Sequence, residues 1–236
     1  MQDKQTRIVV KKNRYEAQQL YQRLKPLIDD TLLFVMEESL RVQAIASSPE
    51  DKQEQLYVLT QLVKEDKPRI IICNTAAFLR YLPDIELFKS LCFKFEVDQE
   101  ITMTELKQKL NRAGYTKVNY VDRPCTYASR GGIVDVYCLE YEHPIRIEFF
   151  DTVIESIRLF HEETQRTIET VDSVLINPAT DLLFTDDQIE YLQKEIDSEL
   201  EKQHEKLIQD DYDFLLDYIE KDKIALENYD IDPHLY

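Results

Sequence analysis

Between Lys117 and Ile176 five strand-like runs follow one another with no helical run between them: 117–121, 132–139, 145–150, 153–160 and 167–176. Parallel strands need a crossover of a dozen or more residues, so runs this close predict an antiparallel sheet. One helical pattern precedes them. Thr102 and Glu105 have capping-box spacing, Met103, Leu106, Leu110 and Ala113 make an apolar stripe, and Gly114 is placed to end the helix. One helix and such a sheet make a small α+β domain.

The first hundred residues are organised differently. "RIVV" (7–10), "TLLFVM" (31–36) and "RIIIC" (69–73) are β-rich runs separated by helical patterns, which predicts a parallel α/β sheet. Asn13 is a candidate cap for a helix with Ala17, Leu20, Tyr21, Leu24 and Leu27 on one face. Ser48-Pro49 opens a second helix with Leu56, Leu59, Leu62 and Val63 on its apolar face. A short helix after Cys73 should stop at Pro83. Leu91, Phe93, Phe95 and Val97 then alternate as a last, half-buried strand of this unit. From Asp186 onward there are 17 acidic and 5 basic residues, with Ile189, Leu192, Ile196 and Leu200 at helical spacing. One or two amphipathic helices with a solvated acidic face are expected there.

Charge and motif content exclude several chemistries. A net charge of −17 argues against a large nucleic-acid footprint, which needs clustered Lys and Arg. With three glycines in 236 residues, neither a phosphate loop of the G-x-x-x-x-G-K-[ST] type nor a dinucleotide loop is present. The motifs of serine hydrolases and zinc proteases are missing, and four scattered histidines give no zinc spacing. Cys73, Cys92, Cys125 and Cys138 form no C-x-x-C pair and read as free thiols, with Cys73 and Cys92 in the core. No catalytic, metal-binding or cofactor-binding residue is assigned. No stretch is long enough to cross a membrane, and a cytoplasmic location is expected.

The informative stretch is "SRGGIVDVYCLEYEHPIRIEFFD", Ser129 to Asp151, which holds two of the three glycines. Alternation along 145–150 puts Ile145, Ile147 and Phe149 on a core face and Arg146, Glu148 and Phe150 on the other. An outward phenylalanine needs a reason. From Arg123 to Arg166 every basic residue is arginine, in a chain with 17 lysines and 12 arginines. Arginine and aromatics are enriched at protein interfaces. Composition leaves two readings open: the arginines hold a partner, or they pair internally with Glu148, Asp135 and Glu155.

"YASRGGIVDVY", "HPIRIEFFD" and "IESIRLFHEETQRT" resemble the segment shared by the excision-repair protein UvrB and the transcription-repair coupling factors. "FHEETQRT", "NTAAFLRYLP" and "GYTKVNYVDRP" lean toward the coupling factors. The resemblance implies a degenerate, helicase-like α/β domain with a parallel sheet at 1–99, a UvrA-binding α+β domain at 100–178, and an acidic helical return segment at 179–236. It places UvrA contacts at Arg130, Arg146, Glu148 and Phe150. It implies a non-catalytic recruiting module without cofactor, excerpted from a longer protein. There, other domains would use ATP and magnesium and meet RNA polymerase and DNA, and one of them would cover the docking face at rest. The alternatives are a fragment of a UvrB-like excision subunit and a DNA-binding module. One departure stands out: the family often has "PGEFAVRGG" where this chain has "PCTYASRGG", so Cys125 takes a turn glycine's place and the local loop is expected to differ.

Overall fold

A computed structural model describes residues 5–37, 49–80, 82–204, 209–227 and 229. The first unit runs β1 (Arg7–Lys11), α1 (Arg14–Leu24), β2 (Thr31–Phe34), α2 (Pro49–Lys64) and β3 (Ile70–Asn74). The three strands are parallel in the order β1-β3-β2. Parallel strands bury both faces, and the helices supply the cover. Ala17 of α1 packs with Val35 and Ile72 on one face. Leu56 and Leu59 of α2 join Leu32, Phe34 and Cys73 in the main core. Asn13 caps α1 as expected, its Oδ1 accepting from Glu16 N at 2.9 Å. Leu27 falls off the expected stripe: α1 ends at Leu24, ahead of Pro26, and Leu27 is exposed. The expected cap Ser48 lies outside the described residues.

Asn74 ties the ends of two strands together. Its Oδ1 accepts from Met36 N at 3.1 Å and its Nδ2 donates to Met36 O at 2.8 Å, while the same Oδ1 caps α3 (Thr75–Phe78). That helix ends well before Pro83. A second short helix, α4 (Ile85–Ser90), starts beyond it on an Asp84 cap.

The strand expected to close the parallel sheet does something else. β4 (Phe93–Glu96) pairs antiparallel with β11 (Ser173–Ile176), with Phe95 opposite Val174. Alternating burial explains this: Phe93 and Phe95 face the core while Lys94 and Glu96 are exposed. One solvated face suits an antiparallel ribbon and not a sheet covered on both sides.

Helix α5 (Met103–Arg112) carries the full capping box, and Leu106 and Leu110 are fully buried. Gly114 ends it with φ of 81°, and a Cβ there would meet Thr180 Cγ2 at 2.3 Å. Its glycine thus serves both the helix end and the approach of the chain near Thr180.

Six strands follow in the order β10-β9-β8-β7-β6-β5. They are β5 (Thr116–Lys117), β6 (Thr126–Arg130), β7 (Ile133–Tyr137), β8 (Ile145–Phe150), β9 (Val153–Phe160) and β10 (Thr167–Val171). The run expected at 117–121 shrinks to β5, which pairs parallel with β6. β6 itself was not anticipated, because "TYASR" has only two β-formers, Thr126 and Tyr127, and no clear alternation. The run expected at 167–176 divides at Asp172, where the chain leaves the sheet for the β4–β11 ribbon. Cys125, ahead of β6, has φ of 63°, so it keeps the left-handed conformation that suits a glycine.

The tail forms two helices, α6 (Asp186–His204) and α7 (Gln209–Glu227). Lys223 pairs with Asp197 across them at 2.7 Å. Arg112 of α5 holds Asp186, which also accepts from the Tyr229 hydroxyl.

Among the described residues all four cysteines are free, with Cys73 and Cys138 buried and Cys92 and Cys125 half-buried. Burial pushes the thiols of Cys92 and Cys125 from 9.0 up to about 11. Burial also raises the Tyr115 phenol, whose hydroxyl donates to Asn177 O at 2.8 Å. A group with a raised folded pKa stabilises fully below its unfolded pKa and loses that contribution as pH rises through the folded one. The urea midpoint should therefore hold up to about pH 9 and fall between about pH 9 and 11. Equilibrium unfolding at stepped pH checks this, and a midpoint flat to pH 11 would refute it.

Candidate protein-docking face

The sheet buries one face and presents the other. Val134, Val136, Ile145, Ile147, Ile154 and Ile157 are fully buried on the inner side. Cross-strand register sets the outer side, because directly paired residues point the same way. One outer row reads Arg130, Ile133, Glu148, Ser156, and the next reads Ala128, Asp135, Arg146, Arg158. A bulge in β9 keeps this face polar. Glu148 pairs with Ser156 and Phe149 with Ile154, so Glu155 is the extra residue. Without that bulge, strict alternation would turn Glu155 inward and Ile154 outward.

The internal pairing left open by composition is what the structure holds for two of the four expected site residues. Arg146 Nε donates to Asp135 Oδ1 at 2.7 Å and Nη2 to Asp135 Oδ2 at 2.7 Å, a bidentate pair. Nη2 also donates to Gln165 Oε1 at 2.7 Å, and the guanidinium lies 4.2 Å from the centroid of the Phe160 ring. The hydrogen bonds to Asp135 raise the Arg146 pKa against the opposing effect of burial. Glu148 is held by an ion pair with Arg158 and by Ser156 Oγ, which donates to Oε2 at 2.9 Å.

The other two are open. Arg130 ends β6 in an exposed position, and its side chain has no hydrogen bond or ion pair among the described residues. Phe150 ends β8 with 74% of its surface exposed, while its neighbour Phe149 packs against the core. Both stand at the same end of the sheet, because the β6–β7 and β8–β9 hairpins turn there side by side. Phe149 N donates to Gly132 O at 2.8 Å across that junction. The two glycines make the first turn. Gly131 takes φ of 58°, and a Cβ on Gly132 would sit 3.0 Å from Phe149 O. The glycines therefore lie between the end of β6 at Arg130 and the start of β7 at Ile133.

Between these elements runs a groove of about 540 Å³ lined in part by Arg130, Ile133, Asp135, Arg146, Tyr120 and Gln165. Arg130 and Arg146 thus share one concavity, and Phe150 is not among its lining residues. Glu148 lies on the same face outside the groove lining. Sequence reasoning missed Tyr120 and Gln165, which come from loops and meet through the Gln165 Nε2 to Tyr120 hydroxyl bond of 2.8 Å. Ser156 was likewise missed as a partner of Glu148, whereas Arg158 is one of the arginines for which internal pairing with Glu148 stood open. The alternation in "IVDVY" sets Asp135 opposite the buried Val134 and Val136, a local signal for its place on the outer face. The described residues hold no cluster of His, Cys, Asp or Glu fit for a metal ion, and no helix among them is long and apolar enough to cross a membrane. Chemically, the face offers an exposed aromatic, an unpaired cation and a polar groove, which are the parts of a protein contact.

Comparison with known proteins fits this geometry. Residues 93–182, from β4 through β11, match the UvrB interaction domain family. A transcription-repair-coupling factor of Bacillus subtilis (strain 168) is 35% identical over 197 residues, which is 83% of this chain and 17% of that protein. Those of Staphylococcus haemolyticus and Staphylococcus aureus (strain NCTC 8325 / PS 47) are 30% identical over 209 and 208 residues, 88% and 87% of this chain. The chain spans 17–18% of the length of these relatives. Over 83–88% of its length the chain corresponds to one region of the transcription-repair-coupling factors, and its residues 93–182 match the UvrB interaction domain.

Proposed function

We propose that this chain is the UvrA-recruiting module of a transcription-repair coupling factor, and that it docks UvrA without catalysing a reaction itself. The observation that carries this reading is Phe150, 74% exposed at the same end of the sheet as Arg130, whose side chain has no hydrogen bond or ion pair among the described residues. In the complex Phe150 is the apolar anchor and Arg130 makes charge-assisted bonds to carboxylates of UvrA. Arg146 and Glu148 shape the same face from within their internal pairs.

The first unit is read as a degenerate helicase-like domain: a parallel β1-β3-β2 sheet with helices on both faces and no phosphate loop in the chain. The module plan is 1–99, 100–178 and 179–236, with β4 attached to the second module by its pairing with β11. The whole protein, acting in the cytoplasm, would displace stalled RNA polymerase from DNA with an ATP- and magnesium-dependent motor outside this chain.

Titration calorimetry of the 236-residue chain with UvrA tests the proposal. Saturable binding that weakens in Phe150→Ala supports it, and the absence of heat at micromolar concentrations overturns it.

A further inference from the structure

The loop joining β9 to β10 holds a residue whose backbone conformation is costly. Gln165 has φ of 60°, in the left-handed region that side chains other than glycine's rarely adopt. Gln165 N donates to His161 O at 2.8 Å and His161 N to Arg166 O at 2.9 Å, so the loop is closed on itself. Glycine would make the same turn without the cost. What glutamine adds is its amide, and the whole amide is used. Oε1 accepts from Arg146 Nη2 at 2.7 Å, and Nε2 donates to the Tyr120 hydroxyl at 2.8 Å and to Glu162 O at 2.8 Å. The Tyr120 hydroxyl itself donates to Glu162 O. Tyr120, Arg146 and Gln165 all line the groove beside Arg130.

Arg146 is therefore held on three sides: by Asp135, by Gln165 and by the Phe160 ring. Nη1 is its one nitrogen without a partner among the described residues. A strained residue kept in place by its surroundings points toward a functional constraint. We propose that Gln165 is a positioning residue for docking: it fixes Arg146 and Tyr120 as two walls of the groove, so that UvrA meets a preformed surface. This rests on the UvrA-docking reading above.

The test is Gln165→Gly, which keeps the left-handed turn and removes the amide. A residue needed only for folding would lower the melting temperature when truncated. The positioning role predicts that the melting temperature holds or rises, because glycine relieves the backbone cost. It predicts at the same time that the Kd for UvrA rises about tenfold, the scale of a lost hydrogen bond to a charged group. In an Arg146→Ala background the same substitution should add little further loss. A second readout needs no partner: the Arg146 Nη hydrogens should exchange faster with water in Gln165→Gly. If wild type binds UvrA, Phe150→Ala loses that binding and Gln165→Gly does not, the positioning role is overturned while the docking reading stands. If wild type binds no UvrA, the docking reading fails, and unchanged Arg146 exchange then removes the positioning role as well.

Discussion

Phe150→Ala should raise the Kd for UvrA about thirtyfold, roughly 2 kcal/mol, and leave the melting temperature unmoved. The two expectations belong together. Phe150 is 74% exposed, so truncating it opens no cavity and removes little packing from the free chain. Its contribution appears only when a partner desolvates the ring. The neighbouring Phe149 is the control, since it packs against the core. Phe149→Ala should lower the melting temperature, and any loss of binding would follow from that. Arg130→Ala should behave like Phe150→Ala, with the added signature that its loss shrinks at high salt, as screening weakens charge pairs. Calorimetry with a parallel melt decides. A Phe150→Ala chain that binds UvrA like wild type would remove this residue from the interface.

Asp135→Ala should destabilise the chain by about 2 kcal/mol, read as a lower urea midpoint. The side chains of Arg146 and Asp135 retain 20% and 15% of their surface, so the pair is largely buried. Removing the carboxylate leaves a guanidinium in a poorly solvated place with two bonds unmade. Fully buried pairs cost about 3–5 kcal/mol to break this way, and the residual exposure here reduces the figure. Replacing both partners with apolar residues of similar size should be milder than removing Asp135 alone, because no orphan charge remains. Arg130→Ala should leave the urea midpoint where it was. The two arginines of one groove are thereby separated by experiment. If Asp135→Ala unfolds at the wild-type midpoint, the bidentate pair contributes nothing to stability.

Much of the sheet was legible because side-chain alternation is a local property. Strands β8 and β9 fall at the expected residues, since "IRIEFF" and "VIESIRLF" combine β-branched and aromatic residues between turn signals. The opposite destinies of Phe149 and Phe150 follow from the same alternation. The helix caps at Asn13 and Thr102 were legible for the same reason, since a cap bonds within three or four residues. β6 was not legible, because "TYASR" becomes a strand only through β7 alongside it. Nor was the place of β4, whose ribbon partner lies some eighty residues downstream.

The amino-acid sequence by itself determined which side chains of the β8 face point outward and that a parallel unit is followed by an antiparallel one. Those properties depend on neighbours a few residues apart. Only the tertiary structure decided which of those outward groups remain open to a partner. Asp135 meets Arg146 through strand register, Arg158 meets Glu148 across a bulged hairpin, and Gln165 reaches Arg146 from a loop nineteen residues away. A guanidinium that finds a carboxylate inside its own fold is held there by geometry that pairwise spacing does not encode. Arg130 and Phe150 stay open because they end their strands at the hairpin turns, beyond the reach of those internal partners.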